Sequence, residues 1–166
     1  SVTMPHKEQV ASSVDRLDPA ATALRSVNTV VPSPDGDLVG HSTDGAGFVA
    51  SLAAAGVAVA GMQVCLLGAG GAARAIADAL GRAGVAEVVV VNRTASSAEA
   101  TASLAAAAGS AARVGTAADI AKAHIVVNAT SVGMGGNVLP CDAALLNSGQ
   151  VVADIVYHPR RTALLE

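Results

Sequence analysis

Two groups of residues in this chain have types and spacings that could do chemistry. Lys7 stands two places after Pro5 in SVTMPHKEQV, and Asp44 stands in GHSTDGAGF. A lysine and an aspartate brought together can orient a hydroxyl and move a proton to or from it, which is general acid–base work. Further on, CLLGAGGAARA places glycines at 68, 70 and 71. Such a run lets backbone approach a phosphate closely and sets a helix N-terminus against it.

The glycine run follows an apolar stretch and opens a helical one, which is where a dinucleotide site needs it. Gly68 and Gly70 suit the tight turn and the approach to pyrophosphate. Ala73 is the third small residue, where helix meets strand. Ala69, Gly71 and Ala72 complete the candidate loop. A glycine turn with no ligand is the plain alternative, and the strand–turn–helix setting weighs against it. A free ribose hydroxyl usually meets a carboxylate at the end of the second strand, roughly twenty residues on. Here that strand ends VVVVNRT, with Arg93 and no carboxylate. An acidic residue would repel an extra phosphate and an arginine can pair with it. NADP rather than NAD is the expected cofactor. The bland reading of Arg93 is an exposed, solubilising side chain.

These residues need a scaffold, and the chain alternates accordingly. SVT reads as a short strand, Pro5 as the start of a helix through KEQVASSV, and DPAATALRS as a helix capped by Asp18. VNTVV and DLVGHS read as strands around a tight Asp-Gly turn. A helix from Thr43 or Asp44 stops at Gly56. From there strands at MQVCLLG, AEVVVVNR, AARV, HIVVNATS and QVVADIVY alternate with helices at GGAARAIADALGRAG, ASSAEATASLAAAAG, AADIAKA and a piece in CDAALLNSG. That order predicts an α/β fold with a doubly wound parallel sheet. The Ala-rich stretches read as helices packed close to a sheet, since alanine is the best helix former.

Composition agrees. Of 166 residues 52% are hydrophobic and only 1% aromatic, Phe48 and Tyr157, so the core must be Val, Leu, Ile and Ala. Net charge is −3, with no Lys/Arg cluster, which argues against a nucleic-acid partner. Cys65 and Cys141 are too few and too far apart for a disulfide framework or a zinc site; Cys65 reads as a buried thiol. The four histidines share no metal-ligand spacing, so no metal is expected. Residues 45–73 carry no charge, but Gly56, Gly61, Gly68, Gly70, Gly71 and Gln63 break the stretch, so no membrane span is expected. The chain reads as soluble and cytoplasmic.

Seven blocks, SVTMPHK, SVNTV, GHSTDGAGF, GAGGAARA, VNRT, NATSVGM and DIVYHPRRTALL, taken in that order and spacing, resemble the shikimate dehydrogenase family, including its quinate/shikimate members. The resemblance covers nearly the whole chain. It implies NADPH-dependent reduction of 3-dehydroshikimate to shikimate in aromatic amino acid biosynthesis, with Lys7 as acid/base and Asp44 holding the substrate hydroxyl. It implies substrate contacts from Thr3, Asn28 and Tyr157. It puts Thr130 and Ser131 near the nicotinamide, counts Ile155 among the cofactor-binding residues, and makes Asn92, Arg93 and Thr94 a clamp on the adenosine phosphate. Residues 1–57 would be the later part of a smaller α/β substrate domain with a linking helix. Residues 58–157 would be the Rossmann-like NADP domain, and 158–166 would open a C-terminal segment. The front of the family's substrate domain and its C-terminal helices have no counterpart, so the chain reads as a fragment. Ser1, Ser42 and Ser97 depart from the family's common Asn, Asn and second Arg.

The residues can also be weighed singly. Reduction of a ketone creates an alkoxide that needs a proton. The positive end of a helix dipole works against a cation at Lys7, and a neighbouring Asp44 works for it. Alternatively Lys7 is a solvated helix residue and Asp44 a plain N-cap; the shared spacing favours the catalytic reading. His41 and His158 read as surface histidines, and His6 lies beside Lys7 without an assigned role. The expected partner is a small-molecule substrate, with a homodimer left open. The other function classes in play are an NAD-dependent quinate/shikimate dehydrogenase and a non-catalytic nucleotide-binding fragment or paralogue.

Overall fold

The computed structural model describes residues 1–3 and 5–166. The described residues form two sheets. The larger has five parallel strands: β4 (Gln63–Leu67), β5 (Glu87–Val91), β6 (Ala111–Val114), β7 (Ile125–Asn128) and β8 (Val151–Asp154), in the order β6-β5-β4-β7-β8. The chain moves outward from β4 through β5 to β6, then crosses to β7 on the other side, as in the doubly wound arrangement the sequence predicts.

Strand alternation sends Val64 and Leu66 of β4 to one face and Cys65 and Leu67 to the other. The first face is covered by α4 (Gly71–Arg82) and α5 (Ala95–Ala107). Helix α4 buries Ala73, Ile76, Ala77 and Leu80, the i, i+3, i+4, i+7 stripe of an amphipathic helix. Helix α5 buries Ala98, Ala102 and Ala105, small residues that let it lie close to α4. The second face is thinner. A 3₁₀ turn at Ala117–Lys122 stands where an α-helix was expected, and another covers Ala143–Leu145. The run between β6 and β7 is short, and the longer rise per residue of a 3₁₀ turn suits such a connection. A capping box between Thr116 and Asp119 starts it.

The smaller sheet has order β1-β3-β2, with β1 (Arg16–Leu17), β2 (Thr29–Pro32) and β3 (Leu38–His41). Strands β2 and β3 pair antiparallel about the turn at Asp35-Gly36, and β1 pairs parallel to β3. The two-residue β1 carries too little pattern to be read from sequence. The expected strand at residues 1–3 is absent; a single bond from the Val2 N–H to the Asn28 carbonyl (2.7 Å) ties it beside β2. Helix α1 spans Lys7–Ala11, starting after Pro5 rather than at it. Helix α2 (Pro19–Leu24) is capped as expected, with Asp18 Oδ1 accepting from the Ala21 N–H at 2.6 Å. Helix α3 (Asp44–Ala54) leads from the small sheet to the large one and packs along α4. Among the described residues no helix is long and apolar enough to cross a membrane, and no three His, Cys, Asp or Glu side chains gather as a metal site.

Candidate active site

Asp44 is the first residue of α3, one place beyond its N-cap Thr43. Oδ2 accepts from Lys7 Nζ at 2.5 Å and Oδ1 accepts from Asn28 Nδ2 at 2.5 Å. The plain N-cap reading of Asp44 therefore fails. Asn28, buried just before β2, organises the group. Its Oδ1 accepts from the Thr43 N–H (3.1 Å) and the Thr43 hydroxyl (3.2 Å). Its own N–H donates to the His41 carbonyl, which ties it to β3. Lys7, first residue of α1, is anchored by the Val27 N–H donating to its carbonyl at 3.0 Å. The Lys7 and Asp44 side chains keep 25% and 45% of their surface open, so a solute can reach the pair. Thr3 is exposed and its carbonyl accepts from the His6 N–H. Tyr157 is 83% exposed and makes no hydrogen bond to Lys7, Asn28 or Asp44. His41 is no free surface histidine: its Nδ1 lies 3.0 Å from Asp18 Oδ2.

The second feature is a crevice of about 740 Å³ at the carboxyl ends of the large sheet. It opens where β4 has β5 on one side and β7 on the other, the switch point of the topology. Gly68, Ala69 and Gly70 line one wall, Asn92 and Arg93 another, and Thr130 and Ser131 a third. Gly68 has φ +103°, and a Cβ there would press on the Ala129 carbonyl oxygen at 2.9 Å, so only glycine fits where β4 meets the loop after β7. Gly70 caps α4 without a side-chain acceptor, and Cβ atoms built on Gly70 or Gly71 meet open space. Free N–H groups facing a void suit an oxyanion. Arg93 is exposed and meets no carboxylate among the described residues. A dinucleotide fits this donor set.

Four expected cofactor residues do not line the crevice. Gly71 and Ala72 lie exposed in the first turn of α4. Thr94 is the N-cap of α5, and its carbonyl accepts from Asn92 Nδ2 at 3.1 Å. Ile155 packs half-buried against the core, its N–H donating to the Asn128 carbonyl. Sequence reasoning missed the apolar wall of Ala117, Ile120, Cys141 and Leu145. It comes from the two 3₁₀ turns and the loop before the second, where no periodicity marks it.

That wall is braced by charge. Asp119 accepts from Arg113 Nη2 (2.9 Å) and the Thr116 N–H (2.8 Å), which hold its carboxyl well below the usual carboxylate range. Burial, followed by nearby Asp119, pushes the Cys65 thiol up to about 12. Burial and then Asp142 raise Cys141 as well. Both thiols are therefore poor nucleophiles.

Helix packing links the two features. Helix α3 crosses α4 so tightly that a Cβ on Gly45 would collide with the Ala75 carbonyl oxygen. Ala75 is one helical turn from Gly71, about 6 Å along the axis. Asp44, next to Gly45, thus stands at the start of the helix that packs directly on α4, the helix that opens from the glycine loop.

The family model for shikimate/quinate 5-dehydrogenase matches residues 51–134, half of the chain. The chain belongs to the shikimate/quinate 5-dehydrogenase family. A second model of the same group, the shikimate dehydrogenase substrate binding domain, matches residues 1–30, which include Lys7 and Asn28. Shikimate dehydrogenase (NADP(+)) of Rubrobacter xylanophilus is 44% identical over 170 residues, covering 99% of this chain and 60% of that protein. Shikimate 5-dehydrogenase of Listeria monocytogenes, solved with shikimate and NAD, superposes with a TM-score of 0.90 at 37% identity, over 99% of this chain and 61% of that one. The Thermus thermophilus enzyme, solved with NADP(H) and shikimate, gives a TM-score of 0.86 at 36% identity, over 98% and 60%. This member of the family spans about 60% of the length of the curated relatives it matches.

Proposed function

We propose that this chain carries the catalytic pair and the cofactor crevice of an NADP-dependent shikimate dehydrogenase, acting between 3-dehydroshikimate and shikimate. The observation that carries the reading is the Lys7–Asp44 pair, 2.5 Å apart, with Asp44 at the start of a helix packed directly on α4, whose first turn follows the glycine loop. When bound, the dinucleotide supplies or accepts the hydride. Free N–H groups of the first turn of α4 would hold its pyrophosphate, and Arg93, with no acidic neighbour at the end of β5, would take its extra phosphate. Thr130 and Ser131 would bound the reacting end of the crevice. Asp44 would accept a hydrogen bond from the substrate hydroxyl, in a direction set by Asn28. Lys7 would give a proton to the oxygen as it becomes an alkoxide and take it back in the reverse reaction. Residues 1–57 would form the substrate side and 58–157 the cofactor side, with reaction in the cleft between them.

A second reading is an NAD-dependent quinate/shikimate enzyme, favoured by the NAD in the Listeria structure. The bare Arg93 weighs against it. A non-catalytic nucleotide binder is disfavoured because Lys7 and Asp44 are both present and paired.

The test has two arms. Titration of the 166-residue chain with NADP+ and NAD+ reads the crevice, and tighter NADP+ binding is expected. For turnover, the chain replaces the matching stretch of the Rubrobacter xylanophilus relative, and NADPH absorbance is followed on adding 3-dehydroshikimate. A chimera that folds, binds NADPH and shows no substrate-dependent oxidation would sink the proposal.

A further inference from the structure

Asn128, the last residue of β7, is 0% exposed, and every hydrogen-bonding position of its amide is used. Its Oδ1 accepts from the Thr130 N–H (3.1 Å) and the Thr130 hydroxyl (2.7 Å). Its Nδ2 donates to the Val132 carbonyl (3.0 Å) and to Asp154 Oδ1 (2.9 Å). That exhausts an asparagine side chain. Asp154, the last residue of β8, is its register partner across the sheet. Asp154 Oδ1 also accepts from the Val156 N–H (3.0 Å), and Oδ2 accepts from the Thr162 hydroxyl (2.7 Å). Thr162 is 1% exposed. Thr130 Oγ1 in turn accepts from the Val132 N–H (3.0 Å). One network, buried at Asn128 and Thr162 and half-buried at Thr130 and Asp154, thus runs from the loop at 130–132, through two strand ends, to the segment at 156–162 that bears Tyr157.

We infer that Asp154 and Thr162 are positioning residues: through Asn128 they hold the Thr130–Val132 wall of the crevice and make it move only together with the 156–162 segment. This rests on the reading of the crevice as a dinucleotide site. The loop needs such a hold, because it leads at once into Gly133, Gly135 and Gly136, the first two at positive φ. Nothing regular follows until the 3₁₀ turn at Ala143–Leu145. In a buried network each bond orients the next, and a group left without its partner is costly. If Thr162 is lost, Asp154 Oδ2 has no donor and the carboxylate can turn. Asn128 then loses its partner across the sheet, and Thr130 and Val132 lose theirs. Thr162 makes no hydrogen bond to Thr130 or Val132. Its side chain also lies beside Gly133, and Thr162→Val keeps that packing while removing only the hydroxyl that reaches Asp154.

The experiment uses the 166-residue chain with Thr162→Val, Thr162→Ser and Asp154→Asn, and reads amide hydrogen exchange together with NADP+ affinity. Thr162→Val is expected to speed exchange at the Thr130 and Val132 amides by on the order of tenfold and to weaken NADP+ several-fold, with Cys65 and Val89 in β4 and β5 unchanged. Thr162→Ser keeps the hydroxyl and should restore the wild-type pattern. If Thr162→Val speeds only amides within 156–162, or Thr162→Ser behaves like it, the positioning role is wrong. Should Thr162→Val unfold the chain, the near-isosteric Asp154→Asn decides by the same two amides. A wild-type chain that does not bind NADP+ would overturn the cofactor reading alone, since the exchange arm judges the network without ligand.

Discussion

Lys7 Nζ and Asp44 Oδ2 lie 2.5 Å apart although 37 positions separate them in the chain. Both side chains are partly open to solvent. Ion pairs in such settings contribute little to stability, about 0–1 kcal/mol. A pair that contributes little to folding but is aligned by Asn28 and by two helix starts is better explained by chemistry.

Lys7→Ala should therefore leave the melting temperature nearly unchanged. In the chimera that turns over substrate it should lower kcat by about a hundredfold or more, the usual worth of a positioned acid/base. NADPH affinity should stay within about twofold of wild type on the same reasoning, since Lys7 does not line the crevice. If more than about a third of kcat survives with chemistry rate-limiting, Lys7 is not the proton carrier.

Arg93→Ala tests cofactor choice. A charge-assisted contact to phosphate is lost, which should weaken NADP+ by about tenfold or somewhat more. The exposure of Arg93 and the serine at position 97 keep the effect toward the low end of that range. NAD+ affinity should hold steady. Equal losses for both cofactors, measured by titration, would show that Arg93 does not read the extra phosphate.

Most of the scaffold could be read from the chain because its signals are local and periodic. The stripe Ala73, Ile76, Ala77, Leu80 and the run Val88–Val90 leave little choice of element. The glycine loop and Arg93 were legible because phosphate binding needs backbone shape and one charge. What escaped has no local signal. Strand β1 is two residues long and exists through β3. The 3₁₀ turn at Ala117–Lys122 has a helical composition but a short connection to fill. The Asn128–Asp154–Thr162 network needs two strands in register, which no single segment of sequence can display.

Cys65 predicts the alkaline limb of stability. Its thiol is pushed up to about 12 in the folded chain, chiefly by burial, against about 8.5 in an unfolded one. Between those values the unfolded state has released the proton and the folded state still holds it. Stability must then fall as pH rises, by up to about 1.4 kcal/mol per pH unit from this group. The contribution is complete below about pH 8 and begins to be lost above it. Cys65→Ala should flatten the decline of melting temperature between about pH 8.5 and 10.5, even though the cavity lowers stability at neutral pH. An unchanged slope would mean that other groups set the alkaline limb.

Gly45 joins the two features of the site, and its replacement should separate packing from chemistry. Helix α3 carries Asp44 at its start and crosses α4 at Gly45, where the Ala75 carbonyl and the Ala79 methyl leave no room for a side chain. A Cβ there must push the helices apart, a strain of about 1–3 kcal/mol for an overpacked contact. The shift would move Asp44 relative to the α4 N-terminus, and a displacement of about 1 Å between reacting groups can cost a hundredfold. Gly45→Ala should thus lower the melting temperature and, in the chimera, depress kcat while NADPH still binds. Gly47 is the control. It lies two places along the same helix with open space around its Cα, so Gly47→Ala should be neutral or slightly stabilising through helix propensity. If Gly45→Ala loses stability but keeps full turnover, the close crossing is needed only for folding, and the placement of Asp44 does not depend on it.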